Sequence, residues 1–196
     1  MSAQTVARKV TDAVVRRPWT WRFFRGGMQR MFDELAPTWE TRLGPHHLGA
    51  LRDAVSGLEP RNVLDVGTGT GKAALALAEW FPDADVVGVD LSPAMVAEAE
   101  RQAHGRVRFL VADASRLPFA DASFDLVVLM NAIPFFGELA RITAPGGFVV
   151  SSFSRGSETP IYVSDERLRR RLARRGFGDF ASFAASPATA FRARKL

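Results

Sequence analysis

Between Asp65 and Lys72 the chain reads Asp-Val-Gly-Thr-Gly-Thr-Gly-Lys, with three glycines at alternate positions between an apolar run and a helical pattern. Glycine has no Cβ, so such a loop turns tightly and lets a ligand approach the main chain. Spacing decides which ligand chemistry fits. A phosphate-cradling P-loop needs glycine at position 66 and a hydroxyl at 73, where the chain has Val66 and Ala73. A dinucleotide fingerprint needs its third glycine at 72, but Gly71 comes one residue early and Lys72 takes its place. That second reading is weakened and stays open. Two more acids end apolar runs, Asp90 after Val86-Val87-Gly88-Val89 and Asp113 after Val111-Ala112. Ligands collect outside the carboxyl ends of parallel strands, which is where these acids stand. The structural alternatives are helix capping by Asp90, and by Asp113 for a helix after Ala114. Asn131, after Leu129-Met130, is placed equally well to face that zone or to form an Asx turn.

Other side chains are less suggestive. The chain has no cysteine, which excludes disulfides, thiolate nucleophiles and zinc–thiolate sites and fits a cytoplasmic protein. Of the three histidines, His46 and His47 stand at a helix start near a potential cover for the pocket, where solvation or capping is commoner than general-base work. His104 stands at a helix end before Gly105. No His/Asp/Glu cluster has metal-ligand spacing, so no metal is expected. The run Arg167, Arg169, Arg170, Arg171, Arg174 and Arg175 would suit a nucleic-acid backbone. No stacking aromatic motif accompanies it, and it reads as a solvated helix face.

These residues need elements to hold them. From Arg61 onward short β-branched runs alternate with helical stretches, the pattern of a parallel sheet covered on both faces. The expected strands are Asn62–Val66, Asp85–Asp90, Val107–Ala112, Phe124–Met130 and Gly147–Phe153. The expected helices between them are Lys72–Phe81, Pro93–Ala103 and Phe136–Thr143, the last ended by Ala144-Pro145-Gly146-Gly147. An Arg-rich helix, Ser164–Arg175, precedes two strands, Phe177–Phe183 and Thr189–Arg194, joined around Ser186-Pro187. Ahead of the sheet, His46–Leu58 reads as an amphipathic helix. Arg17–Phe32 packs large aromatics and arginines together, with Gly26 and Gly27 expected to interrupt any long amphipathic helix. Residues 1–45 are therefore expected as a helical lid or appendage, and residues 46–196 as the ligand-binding domain. At 196 residues and 47% hydrophobic content the whole is one ordinary globular unit. The charge is uneven. Residues 46–154 hold eight Lys/Arg against thirteen Asp/Glu, residues 1–45 eight against four, and residues 155–196 ten against four. The basic balance therefore describes the flanks and not the glycine loop. No apolar run of eighteen residues or signal-peptide pattern occurs, and a cytoplasmic location is expected.

The segment Asp65 to Gly71 resembles motif I of class I S-adenosylmethionine-dependent methyltransferases. Val86 to Ser92, Val111 to Ala114, Phe124 to Val128 and Leu139 to Gly147 resemble their later segments in the right order. The last two resemble the methyltransferase type 11 branch that includes ubiquinone and menaquinone C-methyltransferases. The resemblance covers about residues 35–155 strongly. It implies a Rossmann-like methyltransferase fold, an α/β architecture with a mostly parallel seven-stranded sheet, helices on both faces and an antiparallel C-terminal hairpin. It also implies S-adenosyl-L-methionine as cofactor, bound by Asp65, Gly67, Thr68, Gly69, Gly71, Asp90, Leu91, Asp113, Ala114 and Asn131. In that scheme Asp90 accepts from the ribose hydroxyls and Asp113 from the adenine amino group. Leu91 and Ala114 border the adenine, and Asn131 faces the methionine portion or methyl group. Trp39 falls where the quinone-type relatives carry an aromatic-Asp pair, but Glu40 replaces the aspartate. The expected partner is a small-molecule or lipid-like acceptor, with a peripheral membrane contact as an added expectation and no nucleic acid. Methyl transfer from a sulfonium is an in-line displacement, so orientation and exclusion of water suffice, and no catalytic residue or oligomeric state is assigned. The rival functions are a non-catalytic cofactor-binding regulator, an RNA methyltransferase and an NAD-type oxidoreductase.

Overall fold

The structure is a computed structural model that describes residues 3–42, 47–103 and 105–196. Two helices, α1 (Ala3–Arg16) and α2 (Trp21–Leu35), are joined by a 3-10 turn at Pro18–Thr20 and followed by α3 (Gly49–Val55). Then come β1 (Asn62–Val66), α4 (Lys72–Trp80), β2 (Asp85–Asp90), α5 (Pro93–Ala103), β3 (Arg108–Val111) and β4 (Phe124–Met130). The chain continues through α6 (Phe136–Ile142), β5 (Thr143–Phe153), α7 (Asp165–Ala173), β6 (Phe177–Ala185) and β7 (Ala188–Lys195). The seven strands form one sheet in the order β3-β2-β1-β4-β5-β7-β6, parallel through β5, with β7 antiparallel to both neighbours. This is the expected doubly wound sheet with its closing hairpin. The strand order reverses direction between β1 and β4, and a crevice opens there at the carboxyl ends.

Alternation along the central strands divides the core. Leu64, Val66, Val87, Val89, Val127, Leu129 and Val149 belong to one apolar cluster, and Val63, Val86, Leu126, Val128 and Val150 to the other. The second cluster is covered by α3, α4 and α5, through residues such as Leu51, Leu77 and Ala99. The first receives Leu139 from α6 and Leu168 and Leu172 from α7. The connection from β3 to β4 contains no helix. Its place in the layer is held instead by Val10, Val14 and Val15 of α1 and by Trp21 and Met28 of α2, all buried in that same cluster. The connection itself is pinned by Arg141, which donates to the Leu117 and Phe119 carbonyls at 3.0 and 2.6 Å and to the Glu138 carboxylate, which in turn accepts from the Leu117 N–H. Hydrogen bonds from Arg141 hold the Glu138 carboxyl below its ordinary range.

Several expected boundaries move. The helix α6 stops at Ile142, and Thr143 already pairs with Phe124, so the Ala144–Gly147 stretch lies in β5 as an irregularity and not in a helix stop. In α2, Gly26 and Gly27 do not break the helix. Each mid-helix glycine costs about 1 kcal/mol relative to alanine, and burial of Trp21 and Met28 on the inner face outweighs it. The expected helix His46–Leu58 is observed as α3 alone, with residues 43–46 outside the described part.

Candidate functional site

The first site element is the turn between β1 and α4. Gly67 and Thr68 N–H groups both donate to the Val89 carbonyl, at 2.8 and 2.9 Å, which folds the loop onto the end of β2. Gly67 has φ +72°, and a Cβ there would stand 2.6 Å from that of Ala132, so glycine is required on two counts. Gly71 serves packing. It adopts φ +87°, and its missing side chain leaves room for Phe109 and Ala99. A cavity of about 690 Å³ lies against this turn, lined by Asp65, Gly67, Thr68 and Gly69 but not by Gly71.

Asp65 is fully buried in that wall. The Thr68 hydroxyl donates to its Oδ2 at 2.7 Å, while its Oδ1 has no hydrogen-bond partner. Burial pushes its carboxyl up to about 7, with the nearby Asp90 charge adding and the Thr68 hydroxyl opposing. Asp90, at the end of β2, accepts from the Gly69 N–H on Oδ2 and from the Ser92 N–H on Oδ1, both at 2.9 Å. Burial raises its carboxyl too, against the main-chain N–H groups of Ser92, Gly69 and Leu91. A carboxylate offers about four acceptor positions, so two remain for a ligand diol at Asp90.

Leu91, Ala112 and Ala114 line the cavity beside it. Asp113, between the last two, does not. Its Oδ1 accepts from the Trp21 indole N–H at 2.9 Å and the Ser115 N–H at 2.8 Å, and its Oδ2 meets the Arg25 guanidinium at 3.3 Å. It therefore anchors α2, and the helix it was expected to cap is a turn. Asn131 lines the cavity with φ +54°, and its amide group is spent on Ser154. It donates to Ser154 Oγ at 3.0 Å and accepts from Ser154 N–H at 2.9 Å, tying the ends of β4 and β5 together. An Asx turn is not formed.

Most of the remaining wall is apolar, with Gln4, Lys72 and Arg155 among its polar members. Trp21, Met28, Met31, Phe32 and Leu35 come from α2, Ile133 and Phe135 follow β4, and Pro160 and Ile161 follow β5. The segment after β5 carries no motif, and only the fold reveals that it reaches the site. Trp39 also lines the cavity, with its indole nitrogen 3.4 Å from where a Gly69 Cβ would stand. His47 is part of the lining, whereas His46 and His104 lie outside the described residues. The helices α1 and α2 are tied across the site at several points. Arg8 donates to the Ser157 and Thr159 carbonyls at 2.8 and 2.9 Å, and Arg167 pairs with Asp12 at 2.6 Å. Asp33 accepts from the Ser92 hydroxyl at 2.5 Å.

The arginine run of α7 is largely spent on packing. Arg169 lies 4.8 Å over the Phe180 ring, Arg171 5.3 Å over Phe136, and Arg170 pairs with Glu166. Burial and its neighbouring arginines lower Arg171 from its ordinary range. Among the described residues no helix is long and apolar enough to cross a membrane, and no group of three or more His, Asp or Glu is placed to hold a metal.

Residues 63–147 match a family model described as a methyltransferase domain. The chain is 44% identical over 137 residues to a demethylmenaquinone methyltransferase of Thermus thermophilus, covering 61% of this chain and 62% of that one. It spans about three fifths of the length of the curated relatives it matches. Among solved structures, an S-adenosylmethionine-dependent methyltransferase from Aquifex aeolicus superposes with a TM-score of 0.67 at 19% identity, over 82% of this chain and 98% of that one. The cyclase SpnF does so at 0.69 and 19% identity, over 86% and 94%. These two likenesses concern the fold alone, and one of them is to a cyclase, so the fold by itself fixes no activity. With its strand order, its glycine turn and the methyltransferase-domain match across its central strands, the chain resembles the class I S-adenosylmethionine-dependent methyltransferases, and the quinone methyltransferases among them.

Proposed function

We propose that the protein transfers a methyl group from S-adenosylmethionine to a small apolar acceptor of the quinone type. The observation that carries this reading is the cavity, in which one buried and one half-buried carboxylate and a glycine turn share one space with a mostly apolar wall. The residues fit the cofactor. The buried, unpartnered Asp65 Oδ1 suits an ammonium group, and the two open acceptor positions of Asp90 suit a ribose diol. Leu91, Ala112 and Ala114 offer an apolar slot for a purine, while Asp113 lies outside the cavity lining and acts on it only through α2. When bound, the cofactor supplies an electrophilic methyl group on sulfur.

The chain's own work is placement. Asp65 and Asp90 fix the cofactor by charge-assisted hydrogen bonds, and Gly67 and Gly69 let it lie against the main chain. The cross-linked ends of β4 and β5 at Asn131 and Ser154 hold the floor rigid. Trp21, Met28, Phe32 and Phe135 line the cavity, where they would exclude water and receive a flat apolar acceptor. Methionine side chains adapt to the shape of such a ligand. The lack of cysteine fits work in the reducing cytoplasm.

Calorimetric titration with S-adenosylmethionine, S-adenosylhomocysteine and NAD, followed by transfer of labelled methyl to a short-chain demethylated naphthoquinol, tests the proposal. Binding of the first two and label in the quinol are expected. Binding of NAD instead, or cofactor binding with no transfer to any quinol, would overturn it in favour of a dehydrogenase or a cofactor-binding regulator.

A further inference from the structure

On its inner face α2 lines the cavity, and on its outer face it carries a different pattern. Trp19, in the turn that leads into the helix, is 57% exposed and Phe23 is 65% exposed, in a chain whose other aromatics are mostly covered. Large aromatic rings left in water are unusual for a monomeric soluble protein and mark a contact surface when they cluster. These two do cluster. Their rings meet edge to face at 6.1 Å, and the Arg22 guanidinium lies 5.5 Å from one centroid and 4.6 Å from the other. The pair is thus held in place before any partner arrives.

The charge around it has one sign. From Ala13 to Phe32 the chain contains five arginines and no acid. The bordering acids are turned elsewhere, Asp12 to Arg167 and Asp33 to Ser92. Arg25 is engaged by Asp113, while Arg16, Arg17, Arg22 and Arg30 are exposed and pair with no acid among the described residues. Positions 19, 22, 23, 26 and 30 follow one another at the three-to-four-residue spacing of a single helix face. They span ~16 Å at the rise of a helix, a stripe lying along the surface. Aromatic side chains flanked by arginines on a helix that does not cross a bilayer form the pattern of an element lying in the headgroup plane. Gly26 and Gly27 leave the middle of the stripe without side chains, so the backbone can approach that plane.

We propose that this face docks on the surface of an anionic lipid bilayer, with Trp19 and Phe23 entering the headgroup region and the arginines meeting lipid phosphates. Its purpose rests on the methyltransferase reading, because an apolar acceptor of the proposed class is concentrated in the bilayer and the same helix forms the wall of the cavity that would receive it. Docking itself requires neither acceptor nor turnover. It is therefore tested by sedimenting the full chain with vesicles of phosphatidylglycerol and phosphatidylcholine, and with phosphatidylcholine alone. S-adenosylhomocysteine affinity, thermal midpoint and molar mass in solution are measured on the same samples.

The wild-type chain is expected to bind the anionic vesicles, to bind phosphatidylcholine at least tenfold more weakly, and to lose binding as salt rises from about 0.1 to about 0.5 M. Trp19→Ala/Phe23→Ala and Arg17→Glu/Arg22→Glu are each expected to reduce binding tenfold or more, with unchanged cofactor affinity and midpoint. No binding to anionic vesicles, binding that survives both double variants, or a dimer that Trp19→Ala/Phe23→Ala dissolves would overturn the proposal. Since cofactor affinity is read separately, failure of docking is distinguished from failure of the methyltransferase reading.

Discussion

Asp65 combines three properties that rarely coincide, being fully buried, having one oxygen without a partner and having a carboxyl pushed up to about 7. A carboxyl that holds its proton more tightly in the native state than in the unfolded chain contributes most to stability below its unfolded value of 3.8. That contribution is lost as pH rises toward about 7 and is level beyond it. The cofactor-free chain is therefore expected to be less stable at pH 8 than at pH 5 by up to a few kcal/mol, since each tenfold change in proton affinity is worth about 1.4 kcal/mol. Asp65→Asn should flatten that slope in denaturant titrations. An ammonium group delivered beside Oδ1 favours the ionised form, so S-adenosylhomocysteine affinity should rise between pH 6 and 8 in the wild type and stay flat in the variant. An unchanged slope would separate Asp65 from both roles. At Asp90 the expected loss is of affinity. Charge-assisted hydrogen bonds are worth roughly 1.5–3 kcal/mol each, so Asp90→Asn should weaken cofactor binding about tenfold or more by calorimetry. The midpoint should move much less, because an amide still offers one acceptor to the Gly69 or Ser92 N–H.

The start of α5 shows how one element is built from two distant pieces of sequence. Ser92 Oγ caps the helix by accepting from the Met95 N–H at 3.1 Å, and its hydroxyl proton goes to Asp33 on α2. The Ala94 N–H reaches the same carboxylate at 3.4 Å. Ser92 and Pro93 are a legible helix start, since a hydroxyl cap and a first-turn proline are local signals. The second acid in the cap, 59 residues earlier, has no local signature. Removing a cap costs about 1–2 kcal/mol, and a chain of this size loses roughly 2–4 °C of melting midpoint per kcal/mol. Ser92→Ala and Asp33→Ala are each expected to lower the midpoint by a few degrees. The double variant should fall short of the sum, because one hydrogen bond is removed by both. Full additivity would show that α2 is not coupled to α5 through this contact.

At the scale of the whole molecule, the N-terminal helices share an apolar cluster with the sheet. The sequence invites their reading as an appendage because they precede the motifs and match none of them. The β3–β4 connection lacks a helix, and Val10, Val14, Val15, Trp21 and Met28 fill the layer in its place. Removing residues 1–30 takes Val10, Val14, Val15, Trp21 and Met28 out of that cluster, together with part of the cavity wall. Burial of each such side chain is worth about 1.5–3 kcal/mol, and the sum exceeds the margin by which domains are stable. The truncated chain is expected to be insoluble or to lack a cooperative thermal transition. A soluble truncated chain that melts cooperatively and binds S-adenosylhomocysteine would show that these helices are an appendage.

The sheet, its C-terminal hairpin, the glycine turn and the acid ending β2 were all legible in the residues, because each is encoded within a dozen positions by alternation, glycine spacing or a strand-end carboxylate. Tertiary structure decided where long-range partners send a side chain. Asp113 looks like a ligand acid by position, but Trp21 and Arg25, some ninety residues earlier, take up most of its acceptor capacity. Asn131 is committed to Ser154, and Gly26 and Gly27 remain helical because the packing of α2 outweighs their propensity. Ile161 and Pro160 join the cavity only because β5 delivers the following loop there. Local signals specify which elements form and where strand-end acids stand. The energy that settles a polar group's partner or an apolar helix's covering comes from residues distant in sequence, which no local pattern records.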